Sequence, residues 1–133
     1  MKKIDKSRLI AIQGDKILVL EKVGSKKKYS LAGGIKKKKE TTINSLVREI
    51  YEEIGVDLSI EDLTYFLSKK DSRNKNQQEI SKHYYITEKA IEKIQNLEPH
   101  KFKNVLWIFW YDTLEYLDKE DRTAVTLYFD QYK

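Results

Sequence analysis

The chain has 133 residues, enough for one domain with its own core. A composition 40% apolar and 35% charged reads as soluble and globular, and the absence of cysteine excludes disulfides and thiolate metal sites. The net charge of +5 points to an anionic partner such as a nucleotide, a polyphosphate or RNA.

Met1 to Lys6 runs into Ser7 and Arg8 without an apolar core, so it is no signal peptide. The longest apolar run, Val105 to Tyr111, is too short to cross a bilayer, and a cytoplasmic location is the default expectation. Arg8 to Gln13 and Lys16 to Glu21 are short apolar runs split by Gly14-Asp15, which predicts a β-hairpin. Lys26 to Lys28 begin a polar connection, and Tyr29 to Leu31 form a short extended piece ending in Gly33-Gly34.

Thr41 to Ile54 is the best helix of the chain. Ile43, Leu46, Val47, Ile50, Tyr51 and Ile54 make its apolar stripe. Thr41 or Thr42 can cap its start and Gly55 suits the residue after its end. Arg48, Glu49, Glu52 and Glu53 are expected on or near the opposite face. Leu63 to Leu67 and Ile80 to Ile86 are predicted strands, and the polar run Asp71 to Gln78 is a predicted loop. Thr87 to Asn96 fits either a helix or a strand with a turn. Val105 to Trp110 reads as a buried strand, Asp112 to Leu117 as a short helix. Asp118 can cap a final helix through Tyr128 or Phe129, with Ala124, Val125, Leu127 and Tyr128 inward. Tyr65, Tyr84, Tyr85, Phe102, Trp107 and Trp110 are expected mostly in the core, with one aromatic free to stack on a base. Strands before, between and after helices indicate a mixed α/β domain without repeats or linkers.

The chemistry lies in Arg48-Glu49-Ile50-Tyr51-Glu52-Glu53. Side chains three and four apart are neighbours on a helix, so Glu49, Glu52 and Glu53 crowd together. They also fall near the helix C-terminus, where the dipole disfavours anions. A hard divalent cation resolves both conflicts, because Mg²⁺ and Mn²⁺ prefer carboxylate oxygen. A solvated acidic face is the plainer reading, and it leaves both conflicts standing.

Residues 34 to 56 resemble the Nudix box, Gly-x5-Glu-x7-Arg-Glu-U-x-Glu-Glu-x-Gly-U, with U a bulky aliphatic residue. Gly34, Glu40, Arg48, Glu49, Ile50, Glu52, Glu53, Gly55 and Val56 fit it without gaps. Tyr29 to Gly34 is similar to the Trp-x-x-Pro-Gly-Gly lead-in of many members, with Tyr29 for Trp and Ala32 for Pro. Both departures lie outside the metal site and are expected to alter loop rigidity only. Leu97 to Phe102, followed by Trp107, resembles the Glu-Pro-x-Lys segment of MutT-like members.

The resemblance implies one Nudix domain over residues 1–133, an α/β/α sandwich with a mixed sheet between helices. It implies a pyrophosphohydrolase that cleaves a nucleoside diphosphate linked to another group, with Mg²⁺ or Mn²⁺ as cofactor. Glu49 and Glu53 would be the principal metal ligands, Glu52 would support them directly or through water, and the Gly34 carbonyl would be a further ligand. Arg48 would hold a glutamate in position, and Glu40 would have a similar supporting role. Glu49 is one candidate general base; Glu98 is another, or an additional ligand. Some sugar-nucleotide members carry a Pro, and some dinucleoside polyphosphate members a Tyr, in the stretch corresponding to Asp71 to Asn74, which has neither. The MutT-like group often cleaves nucleoside triphosphates to monophosphate and pyrophosphate, including oxidised nucleotides.

Lys36, Lys37, Lys38 and Lys39 enter the box helix. A solvated charge run is the ordinary reading. The sharper one has them on substrate phosphates near a helix N-terminus. With Lys26 to Lys28 they admit a longer polyphosphate, such as an RNA 5′ end, as runner-up substrate. The resemblance also admits ADP-ribose or a dinucleoside polyphosphate as substrate, and a Nudix domain that binds nucleotide without cleaving it. His83 and His100 are expected at the surface or in loops. A homodimer through a strand edge or aromatic patch is compatible with the sequence, which marks neither.

Overall fold

A computed structural model describes residues 2–71 and 78–132. Among the described residues seven strands and three helices follow in order: β1 (Lys2–Gln13), β2 (Lys16–Lys22), β3 (Tyr29–Ser30), β4 (Ala32–Ile35), α1 (Thr42–Ile54), β5 (Thr64–Lys70), β6 (Gln78–Thr87), β7 (Phe102–Phe109), α2 (Trp110–Thr113) and α3 (Lys119–Tyr132). A short 3₁₀ turn precedes β5 and another follows α2.

The strands form a mixed sheet in the order β3-β2-β1-β6-β5, with β4 on β1 and β7 on β2. β1 and β6 run parallel from Lys2↔Gln78 to Ala11↔Thr87, and the other pairings are antiparallel. β1 and β2 are buried on both faces, which explains their continuous apolar runs. Leu9, Ala11, Leu18 and Leu20 face α1 and its Leu46, Ile50 and Ile54. Ile10, Ile12, Ile17 and Val19 face the other way, onto Ala124, Val125 and Phe129 of α3. The result is the expected α/β/α sandwich. Among the described residues no helix is long and apolar enough to cross a membrane.

Several expectations need correction. β1 starts at Lys2 rather than Arg8, because its polar first half is held by parallel pairing to β6. Residues 88–101 contain neither helix nor strand. Gln95 N–H instead donates to Ile54 O at 3.0 Å and Leu97 N–H to Glu53 O at 3.0 Å. The loop thus satisfies carbonyls that the end of α1 would leave open. Phe102 to Asn104 belong to β7, and Trp110 opens α2 instead of closing the strand. The strand is half-buried rather than buried, since it lies at a sheet edge with only β2 beside it. Tyr65 is 55% exposed on edge strand β5 and Tyr51 is 58% exposed on α1, although both were expected inward. Tyr84, Tyr85 and Phe102 are buried, as expected of core aromatics. The predicted loop from Asp71 to Gln78 lies largely outside the described residues.

Two polar residues of β6 have partners distant in sequence, and His83, expected at the surface or in a loop, is part-buried in the strand. Lys82 on β6 is buried, with its Nζ 3.6 Å from carboxylate oxygens of Asp118, Glu120 and Asp121. His83, also on β6, is half-buried: Nε2 meets Asp5 Oδ1 at 2.8 Å and Nδ1 meets Ser68 Oγ at 2.6 Å.

Candidate active site

α1 begins where Thr41 Oγ1 accepts the Asn44 N–H and ends where Gly55 adopts a left-handed φ of 71° and donates to Tyr51 O. The helix presents Arg48, Glu49, Glu52 and Glu53 toward the Gly33-Gly34 end of β4. At Gly33, β1 passes so close that a Cβ would lie 1.9 Å from Ser7 O, and φ is +144°. Only glycine fits both demands.

Arg48 is the centre of the polar network. Its Nε donates to Glu40 Oε2 at 2.6 Å and its Nη2 to Glu40 Oε1 at 3.0 Å, a bidentate pair. Nη1 donates to Glu49 Oε1 at 2.9 Å and Glu52 Oε1 at 3.1 Å, and Nη2 also reaches Ile35 O at 3.2 Å. The Arg48 guanidinium, aided by the Lys37 N–H, holds the Glu40 carboxyl down at about 2. Glu40 in turn raises Arg48 above its ordinary value.

Glu53 behaves differently. It is 5% exposed, against the expectation of an outward face, and its Oε1 accepts the Gly33 N–H at 2.9 Å. Burial pushes its carboxyl up to about 8; the Gly33 N–H and the Arg8 charge oppose this, and the Glu49 and Glu98 charges add to it. Glu98 is brought near by the loop that hangs on α1. Its N–H donates to Asn96 Oδ1 at 3.2 Å in an Asx turn, and Lys101 Nζ lies 3.4 Å from its carboxylate. Arg8 and the Gly33 N–H were not foreseen as parts of this site. Arg8 is the last polar residue before the apolar run Leu9 to Ile12, and its position there is the only local signal of it.

Gly34 sits against Glu49: a Cβ there would fall 2.4 Å from the carboxyl carbon and 2.6 Å from both oxygens. Gly34→Ala would push Glu49 off Arg48. We expect turnover to fall about tenfold, as for loss of a supporting contact, with little change in melting temperature. Steady-state kinetics beside thermal melts would check this.

Among the described residues no three His, Asp or Glu side chains already converge as a cation cage. Glu49 and Glu52 are turned onto Arg48, and Glu53 onto Gly33. The donor set nevertheless suits a hard divalent cation: three carboxylates, an adjacent fourth in Glu98, and main-chain carbonyls beside them. Two carboxylates already raise the cost of charging Glu53, and a cation would remove that cost. Lys36, Lys37, Lys38 and Lys39 lie in the loop between β4 and α1, and the last three are exposed.

The NUDIX domain family model matches residues 4–128. The chain belongs to this family. It is a Nudix hydrolase, of a family that in general uses divalent metal ions and acts on nucleotide or polyphosphate substrates. The MutT NUDIX hydrolase of Burkholderia pseudomallei shares its fold at 19% identity and a TM-score of 0.81, covering 95% of this chain and 98% of that one. The E. coli ORF135 protein does so at 21% identity and 0.80, covering 98% and 91%. A Francisella tularensis bifunctional NMN adenylyltransferase/ADP ribose pyrophosphatase, complexed with AMP and a Mn ion, does so at 17% and 0.74, covering 97% of this chain and 42% of that one. No curated protein matches in sequence.

Proposed function

We propose that this Nudix hydrolase cleaves a nucleoside triphosphate to the monophosphate and pyrophosphate, with Mg²⁺ or Mn²⁺ held by Glu49, Glu52, Glu53 and the Gly34 carbonyl. The observation that carries the reading is the buried Glu53 carboxyl beside Glu49 and Glu98, facing the Gly33-Gly34 backbone. The Glu98-Pro99-His100-Lys101 segment favours the MutT-like substrate class.

Bound cations would neutralise phosphate oxygens and lower the pKa of the attacking water. The chain's own residues prepare that chemistry. Arg48 fixes Glu49 and Glu52, and Glu40 fixes Arg48. Burial pushes the Glu53 carboxyl up to about 8, and its Oε1 accepts the Gly33 N–H, so a proton on this group would sit on Oε2. Its loss would accompany cation loading. Glu49 and Glu98 are the two carboxylates we propose to take the proton of water.

Product analysis over a panel tests the reading: normal and oxidised nucleoside triphosphates, ADP-ribose, dinucleoside polyphosphates and triphosphorylated RNA. Monophosphate plus pyrophosphate from a triphosphate is the expected outcome. Turnover of another panel member alone would replace the substrate, and binding of nucleotide without any product would replace the activity. Changing Lys36, Lys37, Lys38 and Lys39 to Ser is expected to raise KM severalfold and flatten its salt dependence, because phosphate contacts are screened by salt. An unchanged KM would return these lysines to solvent.

A further inference from the structure

Arg8 stands in the middle of β1, paired with Gly33 of β4 on one side and with Tyr84 of β6 on the other. Strand side chains alternate, so Arg8 shares the row of Ile10 and Ile12 on the α3 face. Glu53 comes to the same Gly33 from α1, on the other face, with its Oε1 on the Gly33 N–H. Arg8 Nη1 donates to Ser7 O at 3.2 Å, and that carbonyl lies 1.9 Å from where a Gly33 Cβ would stand. The guanidinium and the Glu53 carboxyl therefore flank one glycine, near enough for the Arg8 charge to act on Glu53.

A guanidinium carries five N–H donors. Among the described residues Arg8 makes one side-chain hydrogen bond, to its own neighbour's carbonyl, and no ion pair. Its Nε is buried without a hydrogen-bond partner, a costly state for a donor. The acceptors at hand are taken. Asp121 Oδ1 accepts from the Tyr84 hydroxyl and faces Lys82 Nζ, and Glu53 Oε1 accepts from Gly33. Arg48, by contrast, spends its donors on carboxylates within the chain. Arg8 as a whole is half-buried, so part of its side chain is open to solvent. Unmet donors beside occupied acceptors call for an anion from outside.

We infer that Arg8 binds the diphosphate group of the substrate, as a fork on its oxygens, from the side of Gly33 opposite α1. A diphosphate held at the glutamates through cations would lie beside Gly33, within reach of the unmet donors. The planar fork of arginine matches phosphate oxygens in pairs. The inference rests on the proposed pyrophosphohydrolase site and adds to it a substrate contact outside the box helix. It concerns the diphosphate alone, which every member of the substrate panel contains.

The test uses the full chain, saturating Mg²⁺ and methylenediphosphonate, a diphosphate whose carbon bridge is not hydrolysed, with affinity read by calorimetry. Arg8→Gln should bind it about 10–100-fold more weakly, the scale of hydrogen bonds to a charged group. Arg8→Lys should recover part of that loss, since it restores the charge but not the fork. The charge-matched Lys16→Gln, exposed at the β1–β2 turn, should stay within about twofold, because it acts only through screened, long-range electrostatics. Mn²⁺ affinity without the diphosphonate separates this role from an action through Glu53: removing a positive charge should leave it equal or tighter. Diphosphonate affinity within about twofold of wild type in Arg8→Gln, or in Arg8→Lys where only that variant folds, would overturn the inference. So would an equal loss in Lys16→Gln, a matching loss of Mn²⁺ affinity, or a wild type that does not bind the diphosphonate. Arg8-dependent binding without turnover of nucleoside triphosphate would keep the inference and count against the triphosphate reading alone.

Discussion

Glu53→Gln is expected to lower turnover more than ~100-fold while leaving the metal-free protein at least as stable as wild type. The first half follows from the ligand role proposed for the carboxylate. Changes to groups that only support a ligand already cost ~10–100-fold, and this change removes a ligand charge itself. The second half follows from burial. A Gln keeps an oxygen to accept the Gly33 N–H, and it carries no charge beside Glu49 and Glu98.

The pH dependence is specific. The Glu53 carboxyl titrates at about 8 in the folded chain against 4.5 as the ordinary value. Between those pH values the folded chain keeps a proton that the unfolded chain has lost, so this group's stabilisation declines as pH rises. In chelator, the melting temperature of wild type should therefore fall from pH 4.5 toward about 8, and Glu53→Gln should lack that fall. Saturating Mg²⁺ should remove it from wild type as well, with the cation in the proton's place. A wild-type rate in Glu53→Gln would end the assignment of the site. An identical pH slope in the two proteins would end the account of Glu53.

Arg48→Ala is the second large effect. One guanidinium joins Glu40, Glu49, Glu52 and the Ile35 carbonyl. Without it three carboxylates repel one another, and nothing fixes Glu49 or Glu52. We expect kcat/KM to fall ~10–100-fold. Lysine should not rescue it, because a single ammonium cannot reproduce the bidentate Glu40 pair while reaching two further carboxylates. Stability at acid pH reports the same contact. Glu40 sits at about 2 instead of 4.5, so its contribution is present above 4.5 and is lost as pH falls toward about 2. In Arg48→Ala that acid-side loss should be shallower, as thermal melts across this range would show. Rescue of kcat/KM by Arg48→Lys would show that the charge alone matters.

What the sequence made legible was local. The β1–β2 turn, the span of α1 and its Gly55 stop are decided by residues a few positions apart, and each was found within about a residue. The box residues were legible for the same reason, since one helix and the loop before it carry nearly all of them. What was missed depends on partners distant in sequence. The polar start of β1 is a strand only because β6 lies parallel to it. Lys82 is buried only because the start of α3 brings carboxylates over it. Tyr65 is exposed because β5 is an edge strand, and no pattern within the strand says so. Helical spacing put Glu53 with the polar residues, whereas the Gly33 backbone and the loop through Leu97 enclose it. That enclosure sets Glu53 apart from Glu49 and Glu52, although all three look alike in the sequence.

The most direct measurement is Mn²⁺ binding by electron paramagnetic resonance, on wild type and Glu53→Gln, below and above pH 8. Wild type should bind more tightly at the higher pH, releasing one proton less, and Glu53→Gln should bind weakly at both. Equal Mn²⁺ affinity in the two proteins, with no dependence on pH, would contradict a cation site built around the buried Glu53 carboxylate.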